Sequence, residues 1–381
     1  MINLLPSTNI KFYGNMWLKR FGVFMNYSNL FDWARDFYTS FSYNDRWGKA
    51  KIPLRYFLEL TYRCNLNCPY CYVGCDRNKN ELSTDEWKKV INQLPFYSLV
   101  TLVGGEPLLR NDFVDILAYC SKKVMNKVHV VSNGILINDE IIDAFIKYKL
   151  LLLSVSLDGF GKTHDHNRGK EGVFDKVISN LENLKSKKKK QMVDIKTIVL
   201  ENNLDDLPKL YKLCSDMGFE FLSISFLRNN NWKQSSILQN SFIPEFNENY
   251  PIKLYFDMEH FKEVYKEIEG MGGKTKLRFS PKFEYSKKPL ETIEKFFKLP
   301  ESTEVQNIYT PCKFPYNNTF INPEGYIYPC LSQRMGNVKE KKIKEIFNTP
   351  HYCCFRKNLK ANGGVFGACQ MCCELGIKEV L

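Results

Sequence analysis

No stretch of this chain is apolar for long enough to cross a bilayer. The longest apolar run, Leu150 to Leu153 leading into Val155 and Leu157, falls far short of the roughly 20 residues that a spanning helix needs. The first residues lack the uninterrupted apolar core of an export signal, because Pro6, Asn9 and Lys11 break it. Histidine is scarce, with five in 381 residues, which disfavours a centre built on imidazole. His164 and His166, with no cysteine near them, read as loop residues. No internal repeat is visible, which excludes a solenoid. These absences lead to the expectation of a cytoplasmic protein without a membrane span.

Cysteine, by contrast, is abundant, at 13 residues. In a reducing compartment thiols serve metal or catalytic roles rather than a disulfide framework. Their clustering supports that reading: four lie between Cys64 and Cys75 and seven between Cys312 and Cys373. Cys120 and Cys214 stand alone in helical-looking segments and read as small buried hydrophobes. The net charge of +12 is spread along the chain, and its one dense run, Lys187 to Lys190, falls between a helix and a strand. That pattern is a solvated turn rather than a nucleic-acid surface. With 44% hydrophobic residues the chain can bury a sizeable core.

From residue 54 onward short aliphatic runs alternate with stretches of helical period, as in repeated βα units around a parallel sheet. Strands are expected at Leu54–Leu60, Leu99–Val103, Val128–Val131, Leu151–Leu157, Asp194–Leu200 and Phe221–Leu227. Thr84 with Asp85 and Glu86 opens the first helix between them, and Asn111–Asp112 the second. Six units suit a partial (β/α)6 TIM barrel, an α/β fold whose function gathers at the strand C-termini. The expected organisation is an N-terminal helical and aromatic cover over 1–50 and the partial barrel over 51–228. A connector over 229–310, with a helix at Phe256–Glu269, shapes the substrate cavity, and a small cysteine-rich module over 311–381 follows.

The first strand runs into LTYRCNLNCPYCYVGC, which places Cys64, Cys68 and Cys71 on one loop at the barrel mouth. Three thiolates this close can wrap one metal centre, and soft sulfur selects an iron–sulfur cluster or zinc. A structural zinc wants a fourth ligand, and Cys75 offers one, so the residues alone leave both open.

This CxxxCxxC loop, with the aromatic Tyr70 before its last cysteine, resembles that of the radical S-adenosylmethionine (SAM) superfamily. The resemblance implies that Cys64, Cys68 and Cys71 hold a [4Fe–4S] cluster whose fourth iron binds SAM, with Cys75 a bystander. Reduction of that cluster then yields a 5′-deoxyadenosyl radical that takes a hydrogen atom from substrate. Gly104-Gly105-Glu106-Pro107, after the second strand, looks like the family's GGEP turn for the cofactor's amino group. Glycines allow close backbone approach there, and a carboxylate suits an ammonium. Ser132 and Ser156, at the ends of the third and fourth strands, would face the cofactor's carboxylate and ribose. Arg168 matches the family's Arg-Gly and would hold a carboxylate as a fork.

Towards the C-terminus, Cys312, Cys330, Cys369 and Cys372, with Gly325 at a hairpin turn between the first two, resemble the SPASM or twitch modules of such enzymes. The resemblance implies one auxiliary [4Fe–4S] cluster with four cysteine ligands. The longer cysteine string of a full SPASM pattern is absent, and Cys353, Cys354 and Cys373 are too few for a second complete set. A zinc ribbon is the alternative reading of the module.

The implied activity is radical SAM chemistry by an oxidoreductase or maturase. A fully ligated auxiliary cluster would favour electron acceptance and so oxidative modification of a ribosomally made peptide, by a thioether or carbon–carbon crosslink or side-chain oxidation. A flavodoxin- or ferredoxin-type protein would supply electrons. Oxidation of a small molecule, of aminocyclitol or tetrapyrrole type, is the alternative within the enzyme class. A zinc-stabilised RNA-binding protein is the alternative outside it.

Overall fold

A computed structural model describes residues 37–71, 80–227, 255–300, 303–330 and 333–378. Most of the segment expected to form the N-terminal cover lies outside them, as does Cys75; residues 37–44 are helical. The described strands are β1 (Arg55–Glu59), β2 (Leu99–Val103), β3 (Val128–Ser132), β4 (Leu152–Ser156), β5 (Val193–Val199), β6 (Phe221–Phe226), β7 (Lys276–Ser280), β8 (Asn318–Ile321), β9 (Tyr326–Tyr328) and β10 (Gly336–Asn337). They form one sheet in the order β10-β9-β8-β1-β2-β3-β4-β5-β6-β7. Strands β1 to β7 run parallel, each beside its successor. The sheet is open, with β7 and β10 at its edges, and so makes a partial barrel.

All six expected strands are present, with ends shifted by no more than about a residue or two. A seventh, β7, lies where a connector was expected: the helix Met258–Gly270 and β7 continue the βα rhythm, with Phe221 paired to Lys276. The C-terminal module also enters the sheet, because β8 pairs in parallel with β1, Arg55 opposite Asn318, and β9 and β10 return antiparallel.

Alternation along the strands sorts their side chains. On β1, Tyr56 and Leu58 pack with Trp87, Val90 and Ile91 of the helix Thr84–Asn92 in the main core. That helix opens with a complete capping box, Ser83 with Glu86. Arg55, Phe57 and Glu59 point to the opposite, concave face. There a buried polar belt crosses the strands: Arg55 Nη2 donates to Thr101 Oγ1 at 3.4 Å, and His129 lies 3.4 Å from Thr101 and 2.9 Å from Ser154. Ser154 and Ser223 both donate to Asp194, at 3.0 and 2.6 Å. A polar belt inside a barrel is costly unless its members are bonded to one another, and these are.

Candidate active site

The C-terminal ends of β1 to β4 gather the residues picked out in the sequence. Behind the cysteine loop, the carboxylate of Glu81 accepts from Thr61 Oγ1 at 2.6 Å and from the Tyr62 N–H at 2.8 Å. Arg110 donates to the Leu60 carbonyl at 3.0 Å and pairs with Asp112 at 2.7 Å. The loop leaving β1 is thus pinned before it reaches Cys64.

The Gly-Gly-Glu turn is laced to the same segment: Gly105 N–H donates to Thr61 O at 2.7 Å and Glu106 N–H to Arg63 O at 2.8 Å. Gly104 has φ +150°, and a Cβ there would lie 2.5 Å from the Thr61 carbonyl oxygen; a Cβ on Gly105 would overlap the Arg63 carbonyl. The glycines therefore permit close approach, and the partner they approach is the cysteine loop's own backbone.

Glu106 and Ser132 meet at the ends of β2 and β3. The Glu106 carboxylate is fully buried and already accepts three bonds: from Leu108 N–H at 3.1 Å, Ser132 Oγ at 2.9 Å and Asn133 N–H at 2.7 Å. It ties β2 to β3. Burial raises its pKa to about 7, against the lowering effect of those donors. Ser132 uses its hydroxyl in the same network, donating to Glu106 and accepting from Gly134 N–H at 2.9 Å. Ser156, half-buried at the end of β4, makes no side-chain hydrogen bond among the described residues.

Asn133 reaches the loop directly. Its amide donates to Asn65 Oδ1 at 2.7 Å and lies 4.0 Å from Cys64 Sγ. On the other side, Arg168 uses two of its three guanidinium nitrogens within the fold, and its buried Nε has no hydrogen-bond partner among the described residues. Nη2 pairs with Asp158 Oδ2 at 2.5 Å, and Nη1 donates to Cys68 Sγ at 3.6 Å. Burial opposes the charge, but Asp158, Tyr70 and Cys68 together raise the pKa of Arg168 above its usual value. The same Asp158 oxygen accepts from Tyr70 Oη at 2.5 Å, and the other accepts from Ile198 N–H at 2.7 Å. Tyr70 thus locks the loop to β4 through Asp158, a residue that the sequence analysis did not single out.

His164 is buried and accepts the Asp158 N–H at Nδ1, 3.0 Å away; burial, then Arg168, lowers its pKa to about 4. His164 and His166, expected in a loop, lie instead on the helix Lys162–Arg168. A second buried group went unpredicted: Glu59, on the concave face at the end of β1, is 3% exposed, and its Oε1 has no hydrogen-bond partner among the described residues. Burial raises its pKa to about 7.

In the C-terminal module, Cys312 N–H donates to Gly364 O at 2.9 Å. Gly364, with φ +87°, lies so close to Pro311 that a Cβ would sit 2.5 Å from that ring's Cβ. This contact folds the chain so that Cys312 comes beside Cys369, and burial, then Cys369, pushes the Cys312 thiol up to about 12. Cys372 follows one turn later, its N–H on the Cys369 carbonyl at 3.1 Å, and Cys330 lies in the bend just after β9. Cys353 and Cys354 sit instead on the helix Pro350–Ala361, where Cys353 Sγ donates to Asn348 O at 3.7 Å.

None of the described cysteines forms a disulfide. Among the described residues no three His, Cys, Asp or Glu side chains converge on a single-ion position. A four-iron cube places each thiolate on a different iron, so it asks for wider spacing than zinc does. Clustered, half-buried thiols with N–H donors nearby fit such a group.

The family model for the radical SAM superfamily matches residues 58–214, and that for the SPASM iron–sulfur cluster-binding domain matches 312–373. The chain belongs to the radical SAM superfamily. As a radical SAM enzyme with a SPASM domain, it takes SAM and a [4Fe–4S] cluster as cofactors, with auxiliary iron–sulfur at its C-terminal end.

An AdoMet-dependent heme synthase of Methanosarcina barkeri is 28% identical over 323 residues, 82% of this chain and 86% of that protein. The sporulation killing factor maturation protein SkfB of Bacillus subtilis is 30% identical over 174 residues, 44% of this chain and 41% of that protein. The chain spans less than half the length of several other curated relatives. The fold is that of SuiB from Streptococcus suis, solved with its precursor peptide SuiA, at TM-score 0.61 and 17% identity over 87% of this chain and 73% of that one. No helix among the described residues is long and apolar enough to cross a membrane.

Proposed function

We propose that this radical SAM enzyme oxidatively modifies a ribosomally made peptide, working in the reducing cytoplasm with a flavodoxin- or ferredoxin-type electron donor. The observation that carries this reading is the pairing of two cysteine sets, one of three on the barrel loop and one of four in the module.

In this reading Cys64, Cys68 and Cys71 hold the cluster that leaves one iron open, and Cys312, Cys330, Cys369 and Cys372 hold a closed one. When bound, the open cluster and SAM supply a 5′-deoxyadenosyl radical, and the closed cluster supplies an electron acceptor. The chain's own residues fix the loop for that chemistry. Glu81 and Arg110 hold its base, Gly104 and Gly105 let the following turn lie against it, and Tyr70 and Asn133 tie its flanks. Pro107 starts the short turn that carries Glu106 inward. Ser156 keeps a hydroxyl open at the end of β4 for the cofactor. A peptide substrate is supported by relatives such as SkfB.

A second reading, modification of a tetrapyrrole, is favoured by the alignment with a heme synthase over most of both chains. Both readings are tested by giving the reconstituted enzyme SAM and dithionite with either any small peptide found encoded beside its gene or Fe-coproporphyrin III. Loss of two hydrogens from the peptide, by mass spectrometry, with equivalent 5′-deoxyadenosine, supports the first reading. Conversion of the tetrapyrrole alone replaces it with the second.

A further inference from the structure

We propose that Arg168 sets the reduction potential of the SAM-binding cluster, as a cation that Asp158 fixes against the Cys68 sulfur. The proposal rests on the assignment of Cys64, Cys68 and Cys71 as that cluster's ligands.

The geometry that carries it is a relay across the mouth of the barrel. Arg168 Nη1 gives a hydrogen bond to Cys68 Sγ at 3.6 Å while Nη2 is held by Asp158 at 2.5 Å. The Arg168 side chain is 13% exposed and that of Asp158 only 1%, so neither charge is screened as a surface pair would be. Asp158 cannot swing with its partner, because Ile198 N–H on β5 and Tyr70 Oη on the loop hold its two oxygens. The arginine's own backbone is fixed as well. It ends the helix Lys162–Arg168, and the next residue, Gly169 at φ +66°, lies so near the loop that a Cβ would be 3.0 Å from Asn67 O. The cation therefore stands at a set place beside one sulfur of the triad.

Its effect on a bound cluster has a definite sign. Reduction adds one negative charge to the cluster and its thiolates. A fixed positive charge at hydrogen-bond distance from one thiolate favours the reduced form, and an N–H donated to that sulfur draws electron density in the same direction. Both raise the potential and make the cluster easier to reduce. Asp158 opposes this from one bond further away, so the pair acts as a graded setting rather than as a bare cation. The sulfur contact is separate from any role of Arg168 toward SAM, and measurement without SAM isolates it.

The test is a redox titration of the full chain, reconstituted with iron and sulfide without air and followed by electron paramagnetic resonance in the absence of SAM. The signal whose shape changes when SAM is then added identifies the cluster with the open iron. Arg168→Met should move its midpoint to more negative potential, and Arg168→Lys should recover part of the shift. Asp158→Asn should move the midpoint in the opposite direction, with iron and sulfide content unchanged in all three variants. A loosened loop would not give shifts of opposite sign from the two halves of one ion pair. Midpoints that stay put, or that move the same way in Arg168→Met and Asp158→Asn, overturn the proposal. Loss of the cluster from both Arg168→Met and Arg168→Lys overturns it too, by making the residue a structural tie. A wild-type protein with no SAM-responsive signal would instead overturn the cluster assignment on which the proposal stands.

Discussion

Single residues in this site divide by whether their polar atoms are already spent. Cys68 has one donor on its sulfur and is the middle member of the loop triad, so Cys68→Ala should abolish 5′-deoxyadenosine formation under dithionite; an unchanged yield would remove it from the ligand set. Glu59 is the opposite case, a carboxyl buried without a partner at Oε1 among the described residues. Its pKa is raised from 4.5 to about 7, so the folded chain holds a proton that the unfolded chain has released across that interval. Wild-type stability therefore falls as pH rises from about 4.5 to 7 and levels off above it. Glu59→Gln keeps the shape without the ionisation and should melt progressively higher than wild type over that window, by up to about 3 kcal/mol at pH 7. Parallel melting curves from pH 4 to 8 would show that Glu59 titrates normally. The types of such residues were legible in the sequence, but their partners were not. Glu106, Ser132 and Arg168 looked like ligand contacts because a carboxylate, a hydroxyl and a guanidinium suit a zwitterion. The fold adds what the sequence could not, that Ser132 and backbone N–H groups donate to Glu106 and that Asp158 pairs with Arg168.

Elements were legible where burial dictated their composition. Strands β1 to β6 lie inside a parallel sheet and read as aliphatic runs, so their limits emerged from periodicity. Strand β7, KLRFS, is an edge strand with Lys276 exposed and Arg278 half-buried, and nothing in five such residues separates it from a loop. The parallel pairing of β8 with β1 is non-local and leaves no mark on either segment. The turn after β2 shows how two elements depend on one position. Gly104→Ala must force a Cβ against the Thr61 carbonyl at φ +150°, costing about 1–3 kcal/mol in backbone strain and pushing the turn off the cysteine loop. We expect a lower melting temperature and a sharp fall in 5′-deoxyadenosine yield. A variant with the wild-type rate would mean that the turn and the loop need not touch.

On the scale of the whole molecule, one continuous sheet joins the two cysteine sets. The loop triad follows β1, and the module's first strand, β8, is hydrogen-bonded to that same β1. Tyr62, two residues before Cys64, donates to Glu324 at 3.0 Å and accepts from Asn322 at 2.7 Å, both in the β8–β9 hairpin that leads to Cys330. The module is thus braced against the loop, and a defect in one set should leave the other standing, because the brace runs through the backbone and Tyr62 rather than through thiols. Reconstituted wild-type protein should carry about eight irons per chain, as two four-iron clusters require. Cys330→Ala should fall to about four and still cleave SAM when dithionite is present, while losing the oxidised product. If Cys330→Ala kept its full iron and full product yield, the module would hold no redox partner for the barrel, and the oxidative reading of the enzyme would fall with it.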